Sequence, residues 1–395
     1  MRREPVGAGR PALQFPRNDR VNALQIRGLA PAEEKSNVTR MAHPLSRLAT
    51  RVAYASRQLP RMAWYAGHLY VMRRLAEQVR QREGESARPK PRSDPRIDER
   101  LNADRAALIE QDLANVEAGI YPLPVDHDGS LLTLLDRSRM FFRDLPDIDK
   151  RRKRNATREV LNARTRGRRP DYYLQNFHFQ SGGWLTEDSA DRYDTQVEVL
   201  FRGTANAMRR QALPPLTEAF AGRDQRKLRL IDIGCGTGRF LDCVKQVWPR
   251  LPTLGIDLSQ AYIRHARRHL RRWSRIHLIV GNAEAIPAPD NSCDAVTSIF
   301  MMHELPPEVR RTVIGEAARV LKPGGRLILI DSLQRGDQPD YDGMLERFPQ
   351  YYHEPYYSTY LGEDFPAIAR GCGLAHRRDT AAFLSKVMVF DKEDR

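Results

Sequence analysis

The sequence has no run of about 18 apolar residues, so no membrane-spanning helix is predicted. Its first residues hold no apolar stretch of the kind a secretory leader needs, and no leader is expected. Cysteine is scarce. The four present, Cys235, Cys243, Cys293 and Cys372, are scattered and form no C-x-x-C pair. They read as small buried residues in a reducing compartment, and neither a disulfide framework nor a zinc site is predicted. No metal ligands are assigned, and no internal repeat is present. A cytoplasmic location is the expectation.

Negative charge is also short: 65 Lys and Arg face 50 Asp and Glu, a net charge of +15. The surplus is uneven. Residues 1–100 hold 21 basic residues against 10 acidic ones, so 11 of the 15 excess charges lie there. Such a bias suits a nucleic acid or an anionic membrane surface, or is a solvated tail. Residues 1–40, rich in arginine and with Pro5, Pro11, Pro16 and Pro31, are predicted to be a disordered basic extension. Residues 41–180 are read as a helical N-terminal region with a linker near 84–97, and residues 181–395 as a second domain. Within the first, residues 45–80 mix Leu48, Val52, Leu59, Trp64, Tyr65, Leu69 and Tyr70 with arginines. Pro60 is expected to split this stretch into two short helices or to open the second. It reads either as packed on the rest of the protein or as a peripheral membrane contact. Arg151 to Arg169 carries nine basic residues against one acid, Glu159.

From about residue 226 the pattern becomes alternating. Strands are predicted at 228–233, 252–257, 276–280, 294–300, 326–331 and 385–391, with helices at about 238–248, 259–272, 307–321 and 363–370. Alternation at this spacing predicts an α/β, doubly wound sheet whose final strand runs antiparallel. Residues 334–362 form an insertion before the end of the sheet. They carry Tyr341, Phe348, Tyr351, Tyr352, Tyr356, Tyr357 and Tyr360, and are read as an aromatic lid.

The densest signal is Leu230-Ile-Asp-Ile-Gly-Cys-Gly-Thr-Gly-Arg-Phe240. Gly234, Gly236 and Gly238 let the backbone pass close to a ligand, and the helix they open offers free N–H groups and a positive dipole end. The spacing is G-x-G-x-G rather than the dinucleotide G-x-G-x-x-G. Asp232 can meet an amino-acid ammonium, and Asp257, at the end of the next strand, can accept from ribose hydroxyls.

Four motifs then stand in register: Ile-Asp-Ile-Gly-Cys-Gly-Thr-Gly (231–238), Gly-Ile-Asp-Leu-Ser (255–259), Gly-Asn-Ala-Glu-Ala-Ile-Pro (281–287) and Val-Leu-Lys-Pro-Gly-Gly-Arg-Leu (320–327). Together they resemble the class I S-adenosylmethionine (SAM)-dependent methyltransferases, over about residues 190–395. Their texture is similar to the ubiquinone/menaquinone type, which carries a Tyr-Asp pair like Tyr193-Asp194 with the tyrosine over the cofactor. The resemblance implies a Rossmann-like seven-stranded sheet and SAM as cofactor. It assigns Tyr193, Asp232, Gly234, Gly236, Gly238, Asp257, Leu258, Asn282 and Ala283 to cofactor binding. Asn282 stands where that family commonly has Asp, and its amide oxygen can still accept from the adenine amine. Lys322-Pro323-Gly324-Gly325 is read as a structural turn.

After the fourth strand comes Met301-Met302-His303-Glu304-Leu305. His303 is the first candidate for a general base, with Glu304 beside it and His353 in the insertion as a further candidate. The function expected is methyl transfer to a small aromatic or isoprenoid-like acceptor, on carbon or oxygen. The alternatives are an RNA methyltransferase using the basic segments, with nucleic acid the less favoured partner, and a non-catalytic SAM-binding protein.

Overall fold

The computed structural model describes residues 44–83 and 94–393. The extension over 1–40 and the linker up to residue 93 lie outside the described residues.

Three helices lead the chain: α1 (Pro44–Glu83), α2 (Pro95–Glu117) and α3 (Leu131–Arg154). Contrary to the expected break, α1 runs unbroken through Pro60. An interior proline costs about 3 kcal/mol. One face of α1 offsets it. The Tyr54 hydroxyl donates to Asp112, the Gln58 amide to Asp126 and the Arg61 guanidinium to Asp128, and a His68 ring nitrogen bonds Ser138. Buried anchors of this kind contribute about 1 kcal/mol each, more where a charge is involved.

Three helices follow: α4 (Glu187–Leu200), α5 (Ala205–Arg210) and α6 (Leu213–Phe220). The sheet then begins with β1 (Leu230–Ile233), α7 (Arg239–Val247), β2 (Thr253–Asp257), α8 (Gln260–His269), β3 (Ile276–Val280), β4 (Cys293–Ile299), α9 (Pro307–Val320) and β5 (Leu321–Ser332). It closes with α10 (Pro339–Tyr351), α11 (Tyr357–Tyr360), α12 (Phe365–Gly371), β6 (Leu374–Ala382) and β7 (Ser385–Lys392). The seven strands lie in the order β3-β2-β1-β4-β5-β7-β6. The first five are parallel, and β7 inserts antiparallel between β5 and β6. β1 is buried throughout and β4 nearly so, as expected of strands covered on both faces.

Two elements differ from the sequence reading. Lys322 to Gly325 lies inside β5 rather than before it. There the pairing jumps from Cys293↔Leu321 to Ala295↔Arg326, and Gly324 takes φ +69°. The turn-like residues are a bulge in a longer strand. β6 was not anticipated as a strand. Its Leu-Ala-His-Arg-Arg-Asp-Thr-Ala-Ala sequence is mostly exposed, with the polar composition typical of a sheet edge.

Two apolar layers cover the sheet. One joins α9 to the insertion through Ile314, Tyr341, Tyr360 and Phe365. The other joins α2 and α5–α8 through Leu108, Met208, Leu216, Phe240 and Ile263. Leu108 of α2 thus belongs to the core of the α/β domain. Buried charges reinforce the docking: Arg210 pairs with Asp112 and Asp126, and Arg61 with Asp126, Asp128 and Glu198.

Candidate functional site

A cavity of about 130 Å³ opens at the C-terminal ends of β1, β2 and β4, where ligands bind in open α/β sheets. Gly234, Gly236 and Gly238 have φ of +68°, +54° and +83°, a left-handed run that L side chains resist. They do different jobs. A Cβ on Gly238 would stand 2.7 Å from Leu270, so that glycine lets α7 pack against α8. A Cβ on Gly236 would meet nothing nearer than the Gly234 carbonyl oxygen at 4.0 Å, and Gly236 lines the cavity. Its missing side chain leaves open space at the cavity wall.

The turn is braced from two sides. Asp257 accepts from the Gly236 and Ser259 backbone N–H groups, both at 2.8 Å. Asp194 accepts from the Thr237 hydroxyl at 2.6 Å and from Arg239 Nε at 2.7 Å. Tyr193 therefore stands over the cavity because its neighbour is tied to the glycine turn. Its ring meets Trp184 and Tyr262 edge-on, with centroids 5.4 and 5.5 Å away. Below the turn, Asp232 accepts from Thr297 at 2.6 Å. Burial, with Asp257 nearby, pushes its carboxyl up to about 7, against the pull of Thr297. Burial likewise pushes Asp257 up to about 6, with the two N–H bonds opposing.

Of the cofactor-binding residues assigned from sequence, Tyr193, Gly234, Gly236, Asp257, Leu258, Asn282 and Ala283 line this cavity. Asp232 and Gly238 stand behind its wall. Asn282 Oδ1 accepts from the Glu284 N–H at 3.0 Å, which leaves one lone pair for a ligand. Sequence reasoning missed Tyr172, Tyr173 and Tyr262 and gave no cofactor role to Phe177 or Trp184, all of which also line it. The signal available was the aromatic texture of residues 171–184. That segment, rather than the 334–362 insertion, covers the cavity. The insertion backs it instead: Tyr341, Tyr357 and Tyr360 are buried in the core, and His353 Nε2 lies 2.8 Å from Gln175 Oε1.

The candidate acid–base residues separate. Glu304 lines the cavity; His303 and His353 do not. His303 Nδ1 lies 2.5 Å from Asp331 Oδ1, while Asp331 Oδ2 accepts from the Met302 N–H at 2.7 Å. Burial alone would lower the imidazole pKa, but Asp331, helped by Glu354 and Glu304, raises it to about 10. With Nδ1 held by Asp331 and the protonated form favoured, the ring is not poised as a general base. His353 goes the other way, lowered by burial. Glu304 is pushed well above the carboxylate range by burial and by Glu354, with His303 opposing. The fold also brings Glu304 and Glu354 beside His178, three residues with no sequence proximity to suggest it.

Residues 230–325 match the profile of a methyltransferase domain family. Over 151 residues the chain is 32% identical to a ubiquinone/menaquinone biosynthesis C-methyltransferase of Syntrophotalea carbinolica, covering 38% of this chain and 60% of that protein. Over 133 residues it is 32% identical to a demethylmenaquinone methyltransferase of Listeria welshimeri, covering 33% and 54%. Over 99 residues it is 36% identical to a malonyl-[acyl-carrier protein] O-methyltransferase of Methylococcus capsulatus, covering 25% and 35%. The chain spans about half the length, or less, of these relatives. Over residues 230–325, which hold the glycine turn, the chain thus matches a methyltransferase domain and is similar to SAM-dependent methyltransferases.

Proposed function

We propose that this chain transfers a methyl group from SAM to a small aromatic or isoprenoid-like acceptor, on carbon or oxygen. The observation that carries the reading is the open space at Gly236 beneath the Tyr193–Trp184–Tyr262 cluster. Bound SAM supplies an already electrophilic methyl group. The protein's task is then placement, which can contribute roughly 7–11 kcal/mol to a transfer of this kind. Gly234 and Gly236 let the donor approach the backbone. Asp257 holds the turn and would accept from the ribose of bound SAM, Asp232 would offset its ammonium, and Leu258, Asn282 and Ala283 would hold its adenine. His303, locked to Asp331, positions the short turn from which Glu304 enters the acceptor end. The names of the relatives, two of them quinone-type methyltransferases, support the acceptor class. A peripheral membrane contact through α1 fits an isoprenoid-like acceptor.

The test is SAM binding by calorimetry on the full chain and on Gly236→Ala. Alanine at φ +54° costs about 1 kcal/mol, so the variant folds with a melting point a few degrees lower. SAM affinity is expected to drop at least tenfold, because the new methyl enters the cavity. Equal affinity in the two proteins would overturn the reading. SAM binding with no transfer to any quinone or phenol would favour the non-catalytic alternative.

A further inference from the structure

His178 comes from the cavity cover, Glu304 from the turn after β4 and Glu354 from the insertion. Among the described residues they form the one group of His, Cys, Asp and Glu side chains whose ligand atoms all lie within 4.8 Å of one another. His178 Nε2 lies against Glu354 Oε1 and 3.8 Å from Glu304 Oε1. Glu354 is 2% exposed. Both of its carboxylate oxygens, with Glu304 Oε2 and His178 Nε2, are buried and have no partner in hydrogen-bond geometry. Bringing two buried glutamates together costs free energy unless a cation or a shared proton offsets their charge. His303 gives Nδ1 to Asp331 and keeps Nε2 at 3.7 Å from Glu304, beyond a hydrogen bond. Glu304 Oε1 thus lies between two rings, 3.8 Å from His178 and 3.7 Å from His303, and it is His178 that also lies against Glu354.

We propose that His178 Nε2, Glu304 and Glu354 ligate one divalent first-row transition cation, Mn²⁺ or Zn²⁺, and that this ion holds an ionisable oxygen of the methyl acceptor. One imidazole and two carboxylates suit these ions, whereas Mg²⁺ and Ca²⁺ favour all-oxygen sets. Three protein ligands leave a position open for a water or a substrate oxygen. Glu304 belongs to this group and to the cavity wall alike, which sets the ion at the acceptor end. The acceptor class narrows to phenols and enols, whose oxygen a cation ionises near neutral pH. This narrowing rests on the methyl-transfer reading; the ion site itself does not.

The experiment strips the full chain with a chelator and titrates it with Mn²⁺, following free Mn²⁺ by its paramagnetic resonance signal. One ion per chain with a Kd below about 10 µM is expected. Glu354→Gln and His178→Ala should each weaken binding at least tenfold, and Glu354→Gln, at a residue that does not line the cavity, should leave SAM affinity within about twofold. A nitrogen coupling from one imidazole should appear in the pulsed spectrum of bound Mn²⁺, a readout on the unsubstituted chain that needs no variant to fold. No saturable binding of Mn²⁺ or Zn²⁺ up to about 1 mM would overturn the proposal and leave the two carboxylates sharing a proton. Undiminished binding in both folded variants, or no imidazole coupling, would overturn it too. Failure of SAM binding with the Mn²⁺ stoichiometry intact would sink the methyl-transfer reading and leave the ion site standing.

Discussion

Two aspartates at neighbouring strand ends, Asp232 and Asp257, are held in a place that disfavours their charge. In the folded protein they titrate near 7 and 6, raised by burial from an ordinary 3.8. A carboxyl whose folded pKa is raised contributes stability that is complete below about pH 4 and lost as pH climbs to about 7. Carrying the Asp232 charge costs on the order of 4 kcal/mol as a ceiling. The free protein therefore keeps a charge its own fold resists, which is reasonable if a cationic ligand group offsets it. Asp232→Asn retains the acceptor for Thr297 and removes the charge. The variant should unfold at a higher temperature than the parent near pH 8, and its stability should fall less between pH 4 and 7. Its SAM affinity should drop at least tenfold. Melting curves across pH, with and without SAM, check this; a parallel pH profile in the two proteins would refute it.

At the scale of elements, β1, β2 and β4 and the helices after them were legible because each is a largely buried apolar run followed by a 3.6-residue pattern, while β3, a partly exposed sheet edge, showed in its Ile-His-Leu-Ile-Val run. The donor half of the site was legible for the same reason: its residues sit at fixed offsets from strand ends. Illegible were features decided by tertiary contact. β6 reads as polar because it is an edge, α1 survives Pro60 because its far side is anchored, and His178, Glu304 and Glu354 meet only through packing. The helical region's docking hangs on Asp112, which is fully buried and accepts two bonds from Arg210 and one each from the Tyr54 and Tyr121 hydroxyls. Asp112→Ala leaves Arg210 with Asp126 as its remaining carboxylate partner. Breaking a buried pair this way costs about 3–5 kcal/mol. Urea unfolding should show that loss, and α1 and α2 should exchange amide hydrogens faster than the sheet. A loss under about 1 kcal/mol would mean the apolar contacts of Leu108 hold the helices alone.

For the whole molecule, the question is what the outer side of α1 does. Among the described residues no helix is long and apolar enough to cross a membrane. One side of α1 packs inward through Tyr54, Gln58, Tyr65 and His68, while Leu48, Val52, Leu59 and Tyr70 remain more than half exposed. Leu59, Met62, Ala66 and Tyr70 line a shallow groove rimmed by Arg73, Arg105 and Arg202. Apolar side chains between arginines fit the headgroup region of an anionic bilayer, where each basic residue contributes about 1 kcal/mol. The chain should then sediment with vesicles containing phosphatidylglycerol and remain in solution with pure phosphatidylcholine. Raising salt toward about 0.5 M should weaken the association without abolishing it, because only the charged part is screened. Leu59→Asp with Tyr70→Asp, two exposed changes that leave the packed side untouched, should reduce sedimentation severalfold at unchanged melting temperature. The exposed arginines around Arg164 and Arg168 set up the competing outcome. If RNA rather than the vesicles retains the chain, with an affinity that falls steeply with salt, the basic surface serves nucleic acid and the membrane assignment of α1 fails.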